Sequence, residues 1–181
     1  MIWIVAIVAV VAIGAFMLYN ALVTMRNMVR NAWADVDVQL KKRSDLIPNL
    51  VTCVKSYATH EASVLTAVSE ARTLALSQSG ATPSKAEAER SLGQAVFNVQ
   101  MLAEAYPELK AGDNFQRLQN ELTDAERTIA SARQYYNACV RDYNTKRESF
   151  PNSLLAGSFE EEMYFELEDS SQSQVPDLSS G

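Results

Sequence analysis

Apolar residues fill the chain from Ile2 to about Leu22, with no charged side chain before Arg26, and then thin to every third or fourth position. A bilayer core of about 30 Å is crossed by about 20 apolar residues in a helix. The first segment therefore predicts a transmembrane helix, with residues 1–24 as the anchor. No basic stretch precedes the run, and no small-residue cleavage site stands before the amphipathic part, so the segment is expected to stay attached.

Beyond the span, Leu22, Met25, Val29, Trp33, Val36 and Leu40 recur at steps of three and four and share one helical stripe, while Arg26, Arg30, Asp37 and Lys41 fall elsewhere. The membrane helix is expected to continue as an amphipathic stalk of about residues 25–43. Its stripe must be buried by helices of the same chain or of neighbouring copies. Pro48 cannot donate a backbone hydrogen bond. It predicts either a fresh start capped by Ser44 or Asp45, giving a helix over about 45–77, or a kinked continuation.

The stretch SQSGATPS reads as a loop. A seam of Ala88, Leu92, Ala95, Val99, Leu102 and Tyr106 predicts a helix over about 84–105, ended by Pro107. Next come PELKAGDN, with room for a single helical turn, and then the clearest periodicity in the chain. Phe115, Leu118, Leu122, Ala125, Ile129, Ala132, Tyr136, Cys139 and Tyr143 predict a helix over 113–149, capped by Asp113 or Asn114 and closed by Pro151. No segment alternates as a strand does. The fold class read from this pattern is all-α, an N-terminal transmembrane helix continuing into an antiparallel up-and-down bundle of long helices over 25–168. NSLLAG reads as a short helix and MYFEL as an extended segment or surface patch. Residues 169–181 have too little apolar surface to fold and are expected to be disordered.

Composition adds direction. The apolar share of 48% and charged share of 21% are ordinary for one small folded domain, and the net charge of −6 argues against a nucleic-acid partner. Arg26, Arg30, Lys41, Lys42 and Arg43 follow the span, which by the positive-inside rule puts the N-terminus outside and the C-terminal domain in the cytoplasm. Arg26 and Arg30 are the candidate membrane-surface residues, placed for anionic headgroups. Negative charge collects in FEEEMYFELED, a solvated face or a partner patch.

Catalytic signals are absent from the sequence. His60 lies in HEASV, which lacks the second histidine of a zinc-binding HExxH. Cys53 and Cys139 belong to no CxxC pair, the glycines are scattered singly, and no GxSxG elbow occurs. No catalytic, metal or cofactor residue is assigned. Tyr136-Asn137 and Tyr143-Asn144 fall one heptad apart, which points to buried hydroxyls reaching polar partners and to an Asn that fixes register, or to a ligand site.

YNALVTMRNMVRNAWADVDVQLKKRSDLIPNLVTCVKSYATHE resembles the signature stretch of the LemA family, and AEAYPELKAGDNFQRLQNELTDAERTIASARQYYNACVRDYNTKRESFP resembles its second characteristic block. The resemblance covers about Tyr19 to Pro151. It implies an anchored bacterial membrane protein with a short outside N-terminus, one span and a cytoplasmic antiparallel helical domain, from a family with no established enzymatic activity and hence no catalytic residues to carry over; the acidic stretch after Pro151 departs from the family's usual ending. Two functions are expected to compete. In the first, the stripe through Leu40 joins copies into a membrane-bound homo-oligomer that organises or shapes the bilayer. In the second, the bundle is a tethered adaptor that recruits a protein partner, such as a protease or a signalling protein, through its acidic end.

Overall fold

The structure is a computed structural model and describes residues 1–58 and 60–167; the expected disordered tail, residues 169–181, lies outside them. Among the described residues the chain is helical with no strand. The helices are α1 (Ile2–Lys55), α2 (Ala62–Ser77), α3 (Pro83–Ala103), the single turn α4 (Pro107–Lys110) and α5 (Asp113–Glu148). A 3-10 helix (Asn152–Ser158) and an extended segment follow.

Side-chain contacts set the directions of the helices. Arg72 of α2 reaches Ser44 of α1, Lys85 of α3 reaches Ala75 of α2, and α5 runs back along α1 with Glu126 facing Arg43 and Tyr136 facing Trp33. This is the up-and-down bundle that the periodicity predicts. The helix ends obey local rules. Thr82 accepts a hydrogen bond from the Lys85 amide at 3.2 Å with Pro83 in the first turn, and Gly80 turns the preceding loop at φ +73°. At α5 the cap position is Gly112, one residue before the expected Asp113, which already lies in the helix.

The expected separation of helices 25–43 and 45–77 is corrected. Helical backbone runs unbroken from Ile2 through Pro48 to Lys55, and the reversal comes between Lys55 and Ala62. Pro48 has no N–H to give the Ser44 carbonyl four residues back, and Ser44 is buried. That carbonyl instead accepts a hydrogen bond from Arg72 Nε at 2.7 Å. A cation 28 residues away thus replaces the missing rung and lets the proline sit mid-helix. Arg72→Leu is expected to cost ~1–3 kcal/mol by leaving a buried carbonyl unpaired. In a Pro48→Ala background, where the amide at position 48 closes the ladder again, most of that cost disappears. Urea unfolding of the four chains in detergent tests the coupling; equal costs in both backgrounds would refute it.

Two apolar clusters form the core. One, nearer the span, holds Leu22, Val29, Val36, Leu40, Ile129, Tyr136 and Tyr143; the other, towards the far end, holds Ile47, Leu50, Val54, Leu92, Val99, Phe115 and Leu122. Between them lies a polar layer. Arg43, 2% exposed, binds the Glu89 carboxylate at 2.5 Å and Glu126 at 2.7 Å, and Lys85 binds Glu89 at 2.8 Å and the Ala75 carbonyl at 2.8 Å. Residues from all four long helices meet at this level, so the layer fixes their register to one another.

Candidate functional site

The membrane end of the bundle carries a dense set of polar contacts. It is built from α1, from α5 and from the extended segment 159–167, here called the strap. The strap lies antiparallel to α5 and is gripped by two Tyr-Asn pairs. The Asn144 amide donates to the Glu162 carbonyl at 2.8 Å and accepts from the Glu162 N–H at 3.1 Å; Asn137 does the same for Phe165, at 3.2 and 2.9 Å. Tyr143 donates to the Glu160 carbonyl and Tyr136 to the Met163 carbonyl, both at 2.8 Å.

The heptad spacing has a geometric reason. Seven helical residues rise about 10.5 Å, and three extended residues span about 10 Å, so each Tyr-Asn pair meets the strap at the same phase. These four side chains read main chain and no side-chain identity. Affinity for this particular segment comes from two anchors. Phe165 is fully buried with its ring edge-on to Trp33 at 4.9 Å, and Trp33 is in turn edge-on to Tyr136 at 5.4 Å. Phe159 packs on Tyr19 at 5.3 Å, under the Arg26 guanidinium at 5.4 Å. Arg147 closes the strap's start by donating to the Phe159 carbonyl at 2.8 Å, and Arg90 its end by donating to the Leu167 carbonyl at 3.0 Å.

Burial, with the Glu162 carboxylate beside it, pushes the Tyr136 phenol up to about 12, and Tyr143 is raised by the same two causes against the pull of Arg26, Arg147 and Arg30. A phenol with a higher pKa when folded holds its proton where the unfolded chain has lost it. Its contribution is complete below pH about 10 and is lost as the pH rises towards 12. Absorbance titration of the tyrosines is expected to show a late class centred near 12 that vanishes in Tyr136→Phe. A single class near 10 would contradict the packing.

The sequence-derived residues fall as follows. Leu22, Val29, Val36 and Leu40 are buried, and Met25 and Trp33 pack partly buried against the same cluster, all beneath α5 and the strap. The stripe is therefore covered within the chain, and its length no longer argues for contact between copies. Arg26 is half-buried over Phe159, and Arg30 is exposed. Arg43 belongs to the bundle interior rather than the membrane surface, which removes one cation from the orientation argument. His60 is exposed, Cys139 is buried and Cys53 half-buried, and no group of three metal-ligating side chains occurs among the described residues. An open, largely apolar groove of about 790 Å³ between α1 and α2, bordered by Val51, Leu65 and Leu74 with Lys55 and Glu70, brings together no acid, base or nucleophile in a catalytic arrangement.

The sequence signalled the tyrosines and asparagines but not their partner. The buried layer around Arg43 was missed altogether; its one legible trace is Lys85 and Glu89 four apart on an otherwise apolar seam.

The window of α1 most able to cross a membrane has a mean hydropathy of 2.7 and is not buried by the rest of the chain. A family model described as the LemA family matches residues 32–179, so the acidic ending lies within the matched span. Among curated proteins, the magnetosome protein MamQ of Magnetospirillum gryphiswaldense is 26% identical, the match covering 77% of this chain and 61% of that protein. The magnetosome protein MamQ 2 of Paramagnetospirillum magneticum is 25% identical, with 84% and 66% covered. The chain thus spans a little under two thirds of the length of these relatives.

Proposed function

We propose, from the premise that this chain belongs to the LemA family and is a helical membrane protein, that it is a non-enzymatic scaffold that organises or shapes the bilayer in which it is anchored. The observation that carries this reading is the single helix Ile2–Lys55, which joins the span to the bundle without a linker. A bundle held on such a helix cannot tumble independently of its span, so forces on one reach the other. The names of the relatives describe magnetosome proteins and mention no reaction, and the described residues bring together no catalytic constellation. In this proposal the domain faces the cytoplasm at the bacterial inner membrane, and any homo-oligomer uses surfaces other than the stripe already covered by α5.

Full-length protein reconstituted in vesicles containing anionic lipid tests it. Imaging is expected to show altered vesicle curvature or ordered protein arrays, and mass measurement in mild detergent reports copy number. Vesicles that keep their shape and carry only scattered single copies would defeat the proposal.

The second reading, a tethered adaptor, is favoured by the outward side of the strap, where Glu160, Glu161, Met163 and Tyr164 are exposed while Phe159 and Phe165 are buried. Truncation at Pro151 would remove core residues, so the clean variant is Met163→Ser/Tyr164→Ser. If the adaptor reading holds, this pair abolishes partner capture and leaves the helical signal intact.

A further inference from the structure

The register between α1 and α5 sets how deep the end of α5 sits. Glu126 faces Arg43 and Tyr136 faces Trp33, and Arg26 lies near enough to act on the Tyr143 phenol. Continued by the remaining turn and a half of α5, this pairing brings Ser149 to about the level of Asn20, inside the final turn of the apolar run that ends near Leu22. The contact of Tyr19 with Phe159 places the other end of the turn 149–158 at the same depth, and the 3-10 helix packs against both α1 and α5. That level is where hydrocarbon gives way to headgroups, if α1 crosses the bilayer as its composition requires.

At this depth two large apolar side chains point away from the protein. Phe150 is 81% exposed and Leu154 77%, the highest values for large apolar residues outside the span among the described residues. Their neighbours Leu155 and Phe159 turn inward and pack on the core. The flanking positions carry charges of both signs: Arg26 lies over Phe159, Arg147 donates to the Phe159 carbonyl and Lys146 is exposed, while Glu148, Glu160 and Glu161 are exposed as well. An exposed apolar pair beside a membrane span fits an interface with lipid, ring and isobutyl group among acyl chains.

We propose that the turn 149–158 is a second membrane contact, in which Phe150 and Leu154 insert into the leaflet on the bundle's side, next to the span. The inference rests on the membrane-anchored part of the reading above and deepens it. An insertion confined to one leaflet widens that leaflet alone, which is one physical route to curvature.

Depth measurement tests this in the full chain. In a Cys53→Ser/Cys139→Ala background, a polarity-sensitive fluorophore is attached through Leu154→Cys, and through Asn120→Cys as the comparison far from the membrane. The protein is reconstituted in phosphatidylcholine vesicles with phosphatidylglycerol and with lipids bearing a nitroxide near the carboxyl end of the acyl chain. The label at 154 is expected to emit at shorter wavelength than that at 120 and to be quenched several-fold more by the nitroxide lipid. Resistance to carbonate extraction reports the span separately. A label at 154 that emits as in water, in protein that resists carbonate, overturns the contact. A quenched label in vesicles of unchanged shape sustains the contact and rejects the shaping role.

Discussion

Glu89→Leu is expected to destabilise the bundle by ~3–5 kcal/mol, because it leaves Arg43 and Lys85 as buried cations without their shared carboxylate. Glu89 is 1% exposed and takes one oxygen to each partner. Glu126 cannot substitute, since it reaches Arg43 alone from a side chain 46% exposed. The cost reflects stranded charge rather than the worth of the ion pairs, and that distinction can be measured. Replacing all three by apolar residues of similar volume, Arg43→Met/Lys85→Met/Glu89→Leu, is expected to recover most of the loss. Denaturant unfolding of the full chain in detergent, followed by far-UV circular dichroism, reads both variants. A loss below about 1 kcal/mol for Glu89→Leu would show that water reaches the layer, and a triple variant no better than the single would show that the network stabilises in its own right.

Val8→Arg/Val11→Arg is expected to abolish stable membrane integration. Leu, Ile, Val and Phe each contribute about −0.3 to −0.6 kcal/mol to insertion, whereas an arginine near the helix centre costs about 2.5–3.5 kcal/mol. Two of them offset roughly the whole favourable sum of this span. Both positions lie in the part of α1 that the bundle does not cover, and the core begins only at Leu22. The altered chain should therefore keep its helical signal and its unfolding transition while moving from the carbonate-resistant membrane fraction to the soluble one. If it resists carbonate extraction as the unaltered chain does, the anchor is misassigned.

How far the sequence reached depended on whether the determining contact was local. The seams of α3 and α5 were legible because a buried face repeats with the helix itself, and α5 follows its predicted positions from Phe115 to Tyr143. Pro48 misled because the remedy for its missing amide, Arg72, comes from another helix. The true reversal after Lys55 carries no glycine or proline, so nothing local marks it. Arg43 and Glu126 carry no local sign of their pairing, and Lys85 and Glu89 only their spacing of four; the packing of four helices is what brings them together. The Tyr-Asn repeat lay between these cases. Its period was visible, but its partner is an extended segment whose own period of three makes no sense until the two are side by side.

With α1 crossing the bilayer as proposed, the unbroken backbone from Ile2 to Lys55 also carries any change in the tilt of the span to the far end of the bundle. An apolar stretch longer than the local hydrocarbon depth responds by tilting. The part of α1 beyond Leu22 is about 50 Å long, so a change in tilt of about 10° swings the tip of the bundle sideways by about 9 Å. A thinner membrane and a thicker one thus present the α1–α2 end of the same folded domain to different places above the surface.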